Sequence, residues 1–168
     1  MIDESYFFES PLGVLTILAS QKGITNIIWG MNDKRICYYL NKEACAHRAT
    51  CIQQLSEYFA GKRTVFSIPL DFTGTSFQHS VWTALIHIPY GQTMSYKELA
   101  VSIGNVNASR AVGMANNKNP IPIIIPCHRI IGSSGKMVGY SGGLSRKEWF
   151  LTHESSIQSL SSRKNNEN

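Results

Sequence analysis

The chain has 168 residues, 43% of them hydrophobic, and a formal net charge of +5. This is enough apolar material for a core in one compact domain or in two small ones that share an interface. No stretch approaches the roughly 18 uncharged apolar residues of a membrane span, and Asp3 and Glu4 stand where a signal peptide would be basic. The composition argues against a membrane-spanning or secreted protein, and we expect a soluble, monomeric protein of the cytoplasm.

The four cysteines, at positions 37, 45, 51 and 127, are irregularly spaced, whereas disulfide frameworks belong to short secreted chains. We therefore expect free thiols. Cys45, His47 and Cys51 raise the alternative of a zinc site, but they lack the paired C-x2-C spacing of zinc fingers and ribbons. The sequence predicts buried or surface thiols here, with no metal and no cofactor.

The excess of positive charge lies entirely in the second half of the chain. Residues 1–76 hold seven Lys and Arg against seven Asp and Glu, whereas residues 77–168 hold nine against four. This asymmetry suits a protein that binds a polyanion such as nucleic acid. It is equally compatible with a well-solvated basic surface.

Short β segments bounded by Gly, Pro or Asn begin the chain and predict a small antiparallel sheet. These segments are residues 6–8, 14–19 and 24–29. Apolar residues then recur at helical spacing over residues 49–58, and Gly61 supplies a stop signal. Residues 62–74 are predicted to form a last strand and a linker.

Helix signals begin at Thr75, where Thr75 and Gln78 have the spacing of a capping box. Ser95 and Glu98 have the spacing of a second capping box and begin a helix. Gly104 can end this helix by adopting the left-handed conformation. We therefore expect the second half to be mostly helical.

A further helix is predicted for residues 110–116, after a short turn. With the helix that begins at Ser95 it forms a helix-turn-helix, a motif whose second helix meets DNA. Ala111, Gly113 and Ala115 leave this helix almost without bulk, and Arg110 is its one long cationic side chain. Its backbone could therefore come very close to a DNA groove. A small-residue helix packed tightly against a neighbour explains the composition equally well.

Together these signals predict an α+β protein with two domains and a tail. A β-rich domain with one helix covers residues 1–74, and a winged-helix-like domain with the helix-turn-helix covers residues 75–154. Residues 155–168 are rich in Ser, Asn and Lys and are predicted to be disordered.

An apolar, β-like run over residues 121–125 leads into the turn Pro126-Cys127-His128-Arg129. Proline fixes the backbone before the cysteine, His128 can act as a base, and Arg129 adds positive charge. These features favour a nucleophilic thiolate on Cys127 at the end of a buried strand. An inert, buried cysteine is the structural alternative.

A series of short motifs runs in order from about residue 77 to residue 154. They are Phe77-Gln78, Val81-Trp82, Ile88-Pro89-Tyr90-Gly91, Ser95-Tyr96, Arg110-Ala111-Val112-Gly113, Asn119-Pro120, Pro126-Cys127-His128-Arg129 and Gly139-Tyr140-Ser141-Gly142-Gly143-Leu144. In this order they resemble the O6-alkylguanine-DNA alkyltransferases. The first half of the chain resembles that family only in its length and its β-rich character.

The resemblance implies a single-turnover DNA-repair enzyme that moves the alkyl group of O6-alkylguanine in double-stranded DNA irreversibly onto Cys127. It implies that His128 deprotonates the thiol through a water and that Glu154 orients the imidazole. Asn119 matches an asparagine that supports the site. Tyr96 matches a tyrosine whose hydroxyl meets the flipped base and donates a proton to the departing guanine.

The resemblance also implies a set of residues that bind the DNA or the flipped base. Arg110 matches the arginine that fills the gap left by the extruded nucleotide, and Tyr140 and Ser141 match the lid loop over the base. The other members of the set are Ile130, Ala111, Gly113 and Arg129.

Two other functions stay open on the sequence. A non-catalytic module that recognises alkylated guanine resembles the same family but lacks the acceptor cysteine, so the presence of Cys127 stands against it. A winged-helix regulator would use the same helix-turn-helix, but it would not need the Pro-Cys-His-Arg turn.

Overall fold

The computed structural model describes residues 7–31 and 42–165. The chain divides into two compact units, Met1–Thr73 and Gly74–Asn168. The first contains a small antiparallel sheet and a helix, and the second is mostly helical. The predicted fold class, mixed α and β, is thereby confirmed.

The amino-terminal unit is a three-stranded antiparallel sheet with one long helix. The strands β1 (Phe7–Ser10), β2 (Gly13–Ala19) and β3 (Ile24–Trp29) follow one another in the sheet, and helix α1 covers Lys42–Phe59. One face of α1 packs on the sheet and excludes water from a small apolar core. The core side chains include Leu15, Ile17, Ile24, Ile27, Cys51, Leu55 and Tyr58.

Helix α1 begins at Lys42, ahead of the predicted start at residue 49. Its inward side chains lie three or four residues apart and include Ala44 and Arg48 in the first turns. The Arg48 guanidinium is buried and donates to the Cys45 sulfur at 3.1 Å. A charged residue on the inward face interrupts the apolar pattern, which is why the sequence prediction started the helix too late.

The strand predicted within residues 62–74 is reduced to a single parallel bridge between Ile24 and Leu70. The Ile24 N–H donates to the Pro69 carbonyl at 2.9 Å, and the Asp71 N–H donates to the Ile24 carbonyl at 2.8 Å. Pro69 has no N–H with which to extend the ladder. The prediction of a last strand is therefore corrected to a short contact at the sheet edge.

The second unit contains, in its described residues, four α-helices, two short parallel strands and a 3-10 turn. These elements are α2 (Ser76–Ile86), β4 (Met94–Ser95), α3 (Tyr96–Ser102), α4 (Ser109–Asn117), the turn Cys127–Arg129, β5 (Ile130–Ile131) and α5 (Leu144–Asn165). Both predicted capping boxes are present. The side chains of Thr75 and Ser95 accept from the N–H three residues later. In turn, the side chains of Gln78 and Glu98 accept from the backbone N–H of Thr75 and of Ser95.

Helices α3 and α4 form the helix-turn-helix and pack on α2. Trp82 of α2 is buried, and its indole N–H donates to the Ala115 carbonyl of α4 at 2.9 Å. Arg110 and Ala111 are exposed on the outer side of α4. Ala115 therefore allows tight packing, as one interpretation of the sequence expected, and Ala111 leaves the outer face of α4 flat, so that its approach to a DNA groove stays a prediction.

Helix α5 continues to Asn165, so that residues 155–165 are helical where the sequence predicted a disordered tail. The hydroxyls of Ser155, Ser156 and Ser159 donate to carbonyls three or four residues earlier. Because the first turns of α5 are already held by buried side chains, each added residue gains a backbone hydrogen bond without a new nucleation cost.

Gly23 lies where the chain around Pro69 comes closest to the sheet, because a Cβ at Gly23 would be 2.3 Å from the Pro69 carbonyl oxygen. Gly23→Ala should therefore lower the free energy of unfolding by about 3 kcal/mol, the upper end for overpacking. Gly30→Ala is the control, because Gly30 has φ +90° but, apart from its two chain neighbours, no atom of the described residues lies within 4 Å of an added Cβ. It should cost only the backbone strain, about 1–2 kcal/mol. Equal losses in urea unfolding would contradict this account of Gly23.

Candidate active site

The segment that leads to Cys127 is not the extended strand that the sequence predicted. The Ile125 N–H donates back to the Ile121 carbonyl at 2.9 Å, and Ile123 has φ 78°, in the left-handed region. A β-branched residue there costs about 1–2 kcal/mol, so the neighbours must hold it. Asn119 spans the turn, since its Oδ1 accepts from the Ile121 N–H at 3.0 Å and its Nδ2 donates to the Ile125 carbonyl at 2.7 Å.

The Cys127 thiol is buried at the start of the 3-10 turn, with 1% of the residue exposed. Burial raises the pKa of Cys127 to about 11, although a hydrogen bond from Asn119, nearby backbone N–H groups and the charge of Lys147 lower it. The thiol is therefore protonated at neutral pH, in contrast to the thiolate that the sequence favoured. Its sulfur needs a proton acceptor before it can act as a nucleophile.

His128 follows Cys127 and is completely buried. Its Nε2 lies 2.9 Å from Glu154 Oε1, and a carboxylate can only accept, so Nε2 carries the hydrogen and Nδ1 keeps its lone pair. Nδ1 makes no hydrogen bond to any atom of the described residues. Burial lowers the pKa of His128 despite the opposing effect of Glu154. The imidazole is thus neutral, with one basic nitrogen available.

Glu154 on α5 is the centre of a buried polar cluster. Arg129 donates to both of its oxygens, from Nε and from Nη2, each at 2.9 Å, and the Gly91 N–H donates to Oε2 at 3.0 Å. Burial by itself would raise the pKa of Glu154, but the hydrogen bonds and charges of His128 and Arg129 hold it well below its usual range. Glu154 is therefore an ionised carboxylate that accepts hydrogen bonds from Arg129, His128 and the Gly91 N–H.

Arg129 and Ile130 lie away from the surface. Arg129 is 6% exposed, donates from Nη1 to the Ile88 carbonyl at 2.5 Å and lies 5.7 Å from the centre of the Tyr90 ring. Ile130 is fully buried and pairs with Met94 in the β4–β5 ladder. Arg129 neutralises a buried carboxylate and the Ile130 side chain belongs to the core, so a contact of these two residues with DNA or the base stays a prediction.

Tyr96 begins α3 and is half-buried beside α4. A Cβ at Gly113 would lie 3.5 Å from the Tyr96 ring, so the glycine leaves room for the aromatic side chain. The Tyr96 hydroxyl donates to the Val138 carbonyl at 3.1 Å. Burial raises the pKa of Tyr96, and the negative charge of Cys127 adds to this when the thiol is ionised, so the hydroxyl keeps its proton.

The remaining predicted residues lie at the surface or just beneath it. Arg110, Ala111 and Ser141 are exposed, whereas Tyr140 is 9% exposed and its ring is covered. The structure therefore brings together the predicted catalytic residues, and it leaves Arg110 and Ser141 accessible to a large ligand. The residues brought together, whose catalytic roles stay predictions, are Cys127, His128, Glu154, Asn119 and Tyr96.

Sequence reasoning missed Lys147, which is fully buried on α5. Its ammonium donates to the carbonyls of Ile130 and Val138. A signal was present, because Lys147, Phe150 and Glu154 have the three- and four-residue spacing of one helix face, and all three point inward. Charged residues at two positions of a helix face that points inward indicate a buried polar site.

Two family descriptions match most of the chain. Residues 4–72 match "6-O-methylguanine DNA methyltransferase, ribonuclease-like domain", and residues 76–156 match the DNA binding domain of the same name. Within the described residues, no helix is long and apolar enough to cross a membrane. The same residues contain no group of three or more His, Cys, Asp or Glu side chains that could hold a metal ion.

Known proteins of the same type are similar over nearly the whole chain. A methylated-DNA–protein-cysteine methyltransferase of Methanosarcina barkeri is 49% identical over 150 residues, which are 87% of this chain and 93% of that protein. One from Mycolicibacterium paratuberculosis is 47% identical over 151 residues, which are 87% of this chain and 88% of that protein. The protein in the crystal structure of Mycobacterium tuberculosis OGT in complex with DNA is 44% identical in sequence. The two structures match with a TM-score of 0.82 over 90% of this chain and 92% of that chain.

The cluster around Glu154 should contribute strongly to stability. Glu154→Gln should lower the free energy of unfolding by about 3–5 kcal/mol at neutral pH, because it leaves the Arg129 charge buried without a counterion. Glu148→Gln, at an exposed position of the same helix, should change it by less than about 0.5 kcal/mol. Urea unfolding of the two variants measures the difference, and similar values would show that Glu154 is not needed to compensate Arg129.

The same cluster fixes the direction of the pH dependence. The pKa of Glu154 in the folded chain lies below the ordinary value of 4.5. Its stabilising effect should therefore be complete above about pH 4.5 and be lost as the pH falls through the lower, folded-state value. The Glu154→Gln variant should lack this part of the acid dependence.

Proposed function

The chain belongs to the 6-O-methylguanine DNA methyltransferase family, and we propose that Cys127 is the residue on which it accepts the alkyl group. The protein repairs DNA by transferring a methyl group from O6-methylguanine to one of its own cysteines. The observation that carries the assignment of Cys127 is its position beside His128, a neutral base whose imidazole is fixed by Glu154.

The damaged nucleotide has to leave the duplex, because the carbon to be attacked is shielded inside the base stack. Extrusion costs a few kcal/mol, and less for a badly paired lesion. Arg110 is exposed in the first turn of α4, the second helix of the helix-turn-helix. We propose that the Arg110 side chain fills the space that the extruded nucleotide leaves in the base stack. The small Ala111 side chain lets the backbone of α4 come close to the DNA groove.

Transfer is a displacement at the alkyl carbon. The Cys127 proton passes to His128 Nδ1 through a bridging water, the S–C bond forms as the C–O6 bond breaks, and Tyr96 donates a proton to the departing guanine. The raised pKa of Cys127 makes the base necessary, and the raised pKa of Tyr96 keeps its proton available for the guanine. Protons then exchange with solvent to restore Tyr96 and His128.

The product is a thioether, which is a poor leaving group. Each molecule should therefore act once. We also propose a cytoplasmic location, because the free thiols of Cys45, Cys51 and Cys127 suit a reducing compartment.

The acceptor assignment predicts the mass of the protein after reaction. With excess duplex containing one O6-methylguanine, the chain should gain one methyl group, and peptide mapping should find it on Cys127. Cys127→Ser should gain none yet bind the duplex, because a serine hydroxyl is too weak an acid for His128 to ionise. Cys45→Ser is the matched control and should react like the unaltered chain.

Several outcomes would contradict this assignment. Sustained turnover would exclude a single-use acceptor, and a methyl group on a cysteine other than Cys127 would place the site elsewhere. Tight binding without any gain of mass would instead identify a non-catalytic module that recognises alkylated guanine.

Arg110 offers a test of extrusion that is separate from the chemistry. Arg110→Ala should slow transfer from duplex DNA at saturating concentrations by about tenfold or more, but should leave transfer from the free O6-methylguanine base nearly unchanged. Lys118→Ala removes the same charge from the end of α4 and should weaken duplex binding with little effect on the saturated rate. Equal losses of Arg110→Ala on both substrates would exclude a role in extrusion.

A further inference from the structure

Met114 is a large apolar side chain at the centre of the outer face of α4. Successive residues of an α-helix are rotated by about 100°, which places Arg110, Ala111 and Lys118 within about 60° of Met114 around the helix axis. All four residues are exposed, and Met114 has an exposed fraction of 64%. The face is therefore flat at Ala111 but carries an apolar projection beside it.

Met114 also forms part of one wall of a groove between α2 and α4. The groove has a volume of about 190 Å³, and its lining includes Phe77 and Gln78 of α2 and Ala111, Met114 and Lys118 at α4. Apolar side chains and one ammonium line it, and no carboxylate is among its lining residues. Such a surface suits a DNA backbone, in which apolar sugars alternate with phosphates. Ala111 belongs both to the groove and to the outer face, so the two surfaces are continuous.

The bulk of Met114 limits how α4 can meet a duplex. Side chains of a helix lean toward its amino terminus, so the Met114 side chain leans toward the turn that contains Arg110. A face with a methionine at its centre cannot lie flat against a duplex. Close approach of the backbone at Ala111 therefore requires that the Met114 thioether enter the DNA groove.

A methionine is well suited to such an insertion. Its unbranched side chain and polarizable thioether adapt to irregular apolar surfaces. Apolar side chains that enter a base step partly unstack the two base pairs and bend the duplex. Extrusion of a nucleotide costs less free energy when the pairing or stacking around it is already weakened.

From this placement we propose that Met114 is a wedge that parts the base step beside the lesion, while Arg110, one helical turn away, fills the space of the extruded nucleotide. The groove between α2 and α4 holds the backbone of the bent strand. Met114 is thus a positioning residue for extrusion and takes no part in the bond changes at Cys127. The proposal rests on the proposed function, because it takes the outer face of α4 as the surface that binds DNA.

The first measurement detects the parted base step without alkyl transfer. The duplex carries one O6-methylguanine and, as the next base, 2-aminopurine, whose fluorescence rises when it unstacks. Cys127→Ser protein at saturating concentration should raise the fluorescence, and adding Met114→Ala should remove most of that rise. Adding Met114→Leu, which keeps the apolar bulk, should retain it. Met31→Ala is the matched control and should leave the rise unchanged, since Met31 is 69% exposed but belongs to the first unit.

The second measurement compares methyl transfer from three substrates to protein in which Cys127 is intact. Met114→Ala should slow transfer from the duplex at saturating concentrations by about tenfold, because extrusion becomes slower. Transfer from a single strand and from the free O6-methylguanine base should stay nearly unchanged, since neither contains a stacked base pair that must be parted. A loss of folded protein would instead lower all three rates together.

The salt dependence of duplex binding separates an apolar contact from a charged one. Met114→Ala should leave the slope of log Kd against log salt unchanged. Lys118→Ala should reduce that slope by about 1, because an ammonium that neutralises a phosphate releases counterions.

The outcomes distinguish a failure of this proposal from a failure of the proposed function. An unaltered chain that gains no methyl group on Cys127 would overturn the proposed function itself. If Cys127 is methylated, but Met114→Ala keeps both the fluorescence rise and the rate on the duplex, Met114 is not a wedge. Equal slowing on the duplex, the single strand and the free base would also overturn the role of Met114 and leave the assignment of Cys127 intact.

Discussion

The site depends on a carboxylate that is almost completely buried. Glu154 is 1% exposed and is compensated by Arg129, His128 and the Gly91 N–H. Removal of any of these donors would leave part of a buried charge unsatisfied, so the cluster holds α5, the 3-10 turn and the end of the loop after α2 in one arrangement. The orientation of the His128 ring is a consequence of this requirement.

The same requirement explains why the thiol can be both buried and useful. Burial keeps Cys127 protonated, which protects it from oxidation and from stray electrophiles, because the thiolate is the reactive form. A base with a single available nitrogen, fixed on its other side by Glu154, removes the proton when a substrate occupies the site. Cys45 is only half-buried, and the contact described for its sulfur is a hydrogen bond from the Arg48 guanidinium, which cannot act as a base.

Helix α4 links the outer surface to the reacting groups over a short distance. Its outer side presents Arg110, and its inner side reaches the site through Asn116, whose Nδ2 donates to the Cys127 carbonyl at 3.4 Å. Gly113 leaves room for the Tyr96 ring. A helix that contacts DNA on one side and supports the acceptor on the other can hold the lesion and the sulfur in fixed positions relative to each other.

The sequence by itself determined the features that depend on local chemistry. The capping pairs Thr75 with Gln78 and Ser95 with Glu98 act within one turn, so their spacing was sufficient to place the starts of α2 and α3. Family resemblance named Cys127, His128 and Glu154, and the structure places these residues in one buried cluster. The order of the motifs along the chain predicts these site residues, because the chemistry needs those residue types in fixed relative positions.

Only the tertiary structure decided the features that depend on burial by distant segments. The apolar run before Cys127 looked like a strand, but Asn119 and the packing of the second unit hold Ile123 in a left-handed turn. Arg129 and Lys147 are charged and would be expected at the surface, yet a carboxylate and two carbonyls far along the chain compensate them in the interior. A single sequence does not show these partners, because burial is set by which segments pack together and not by the residue itself.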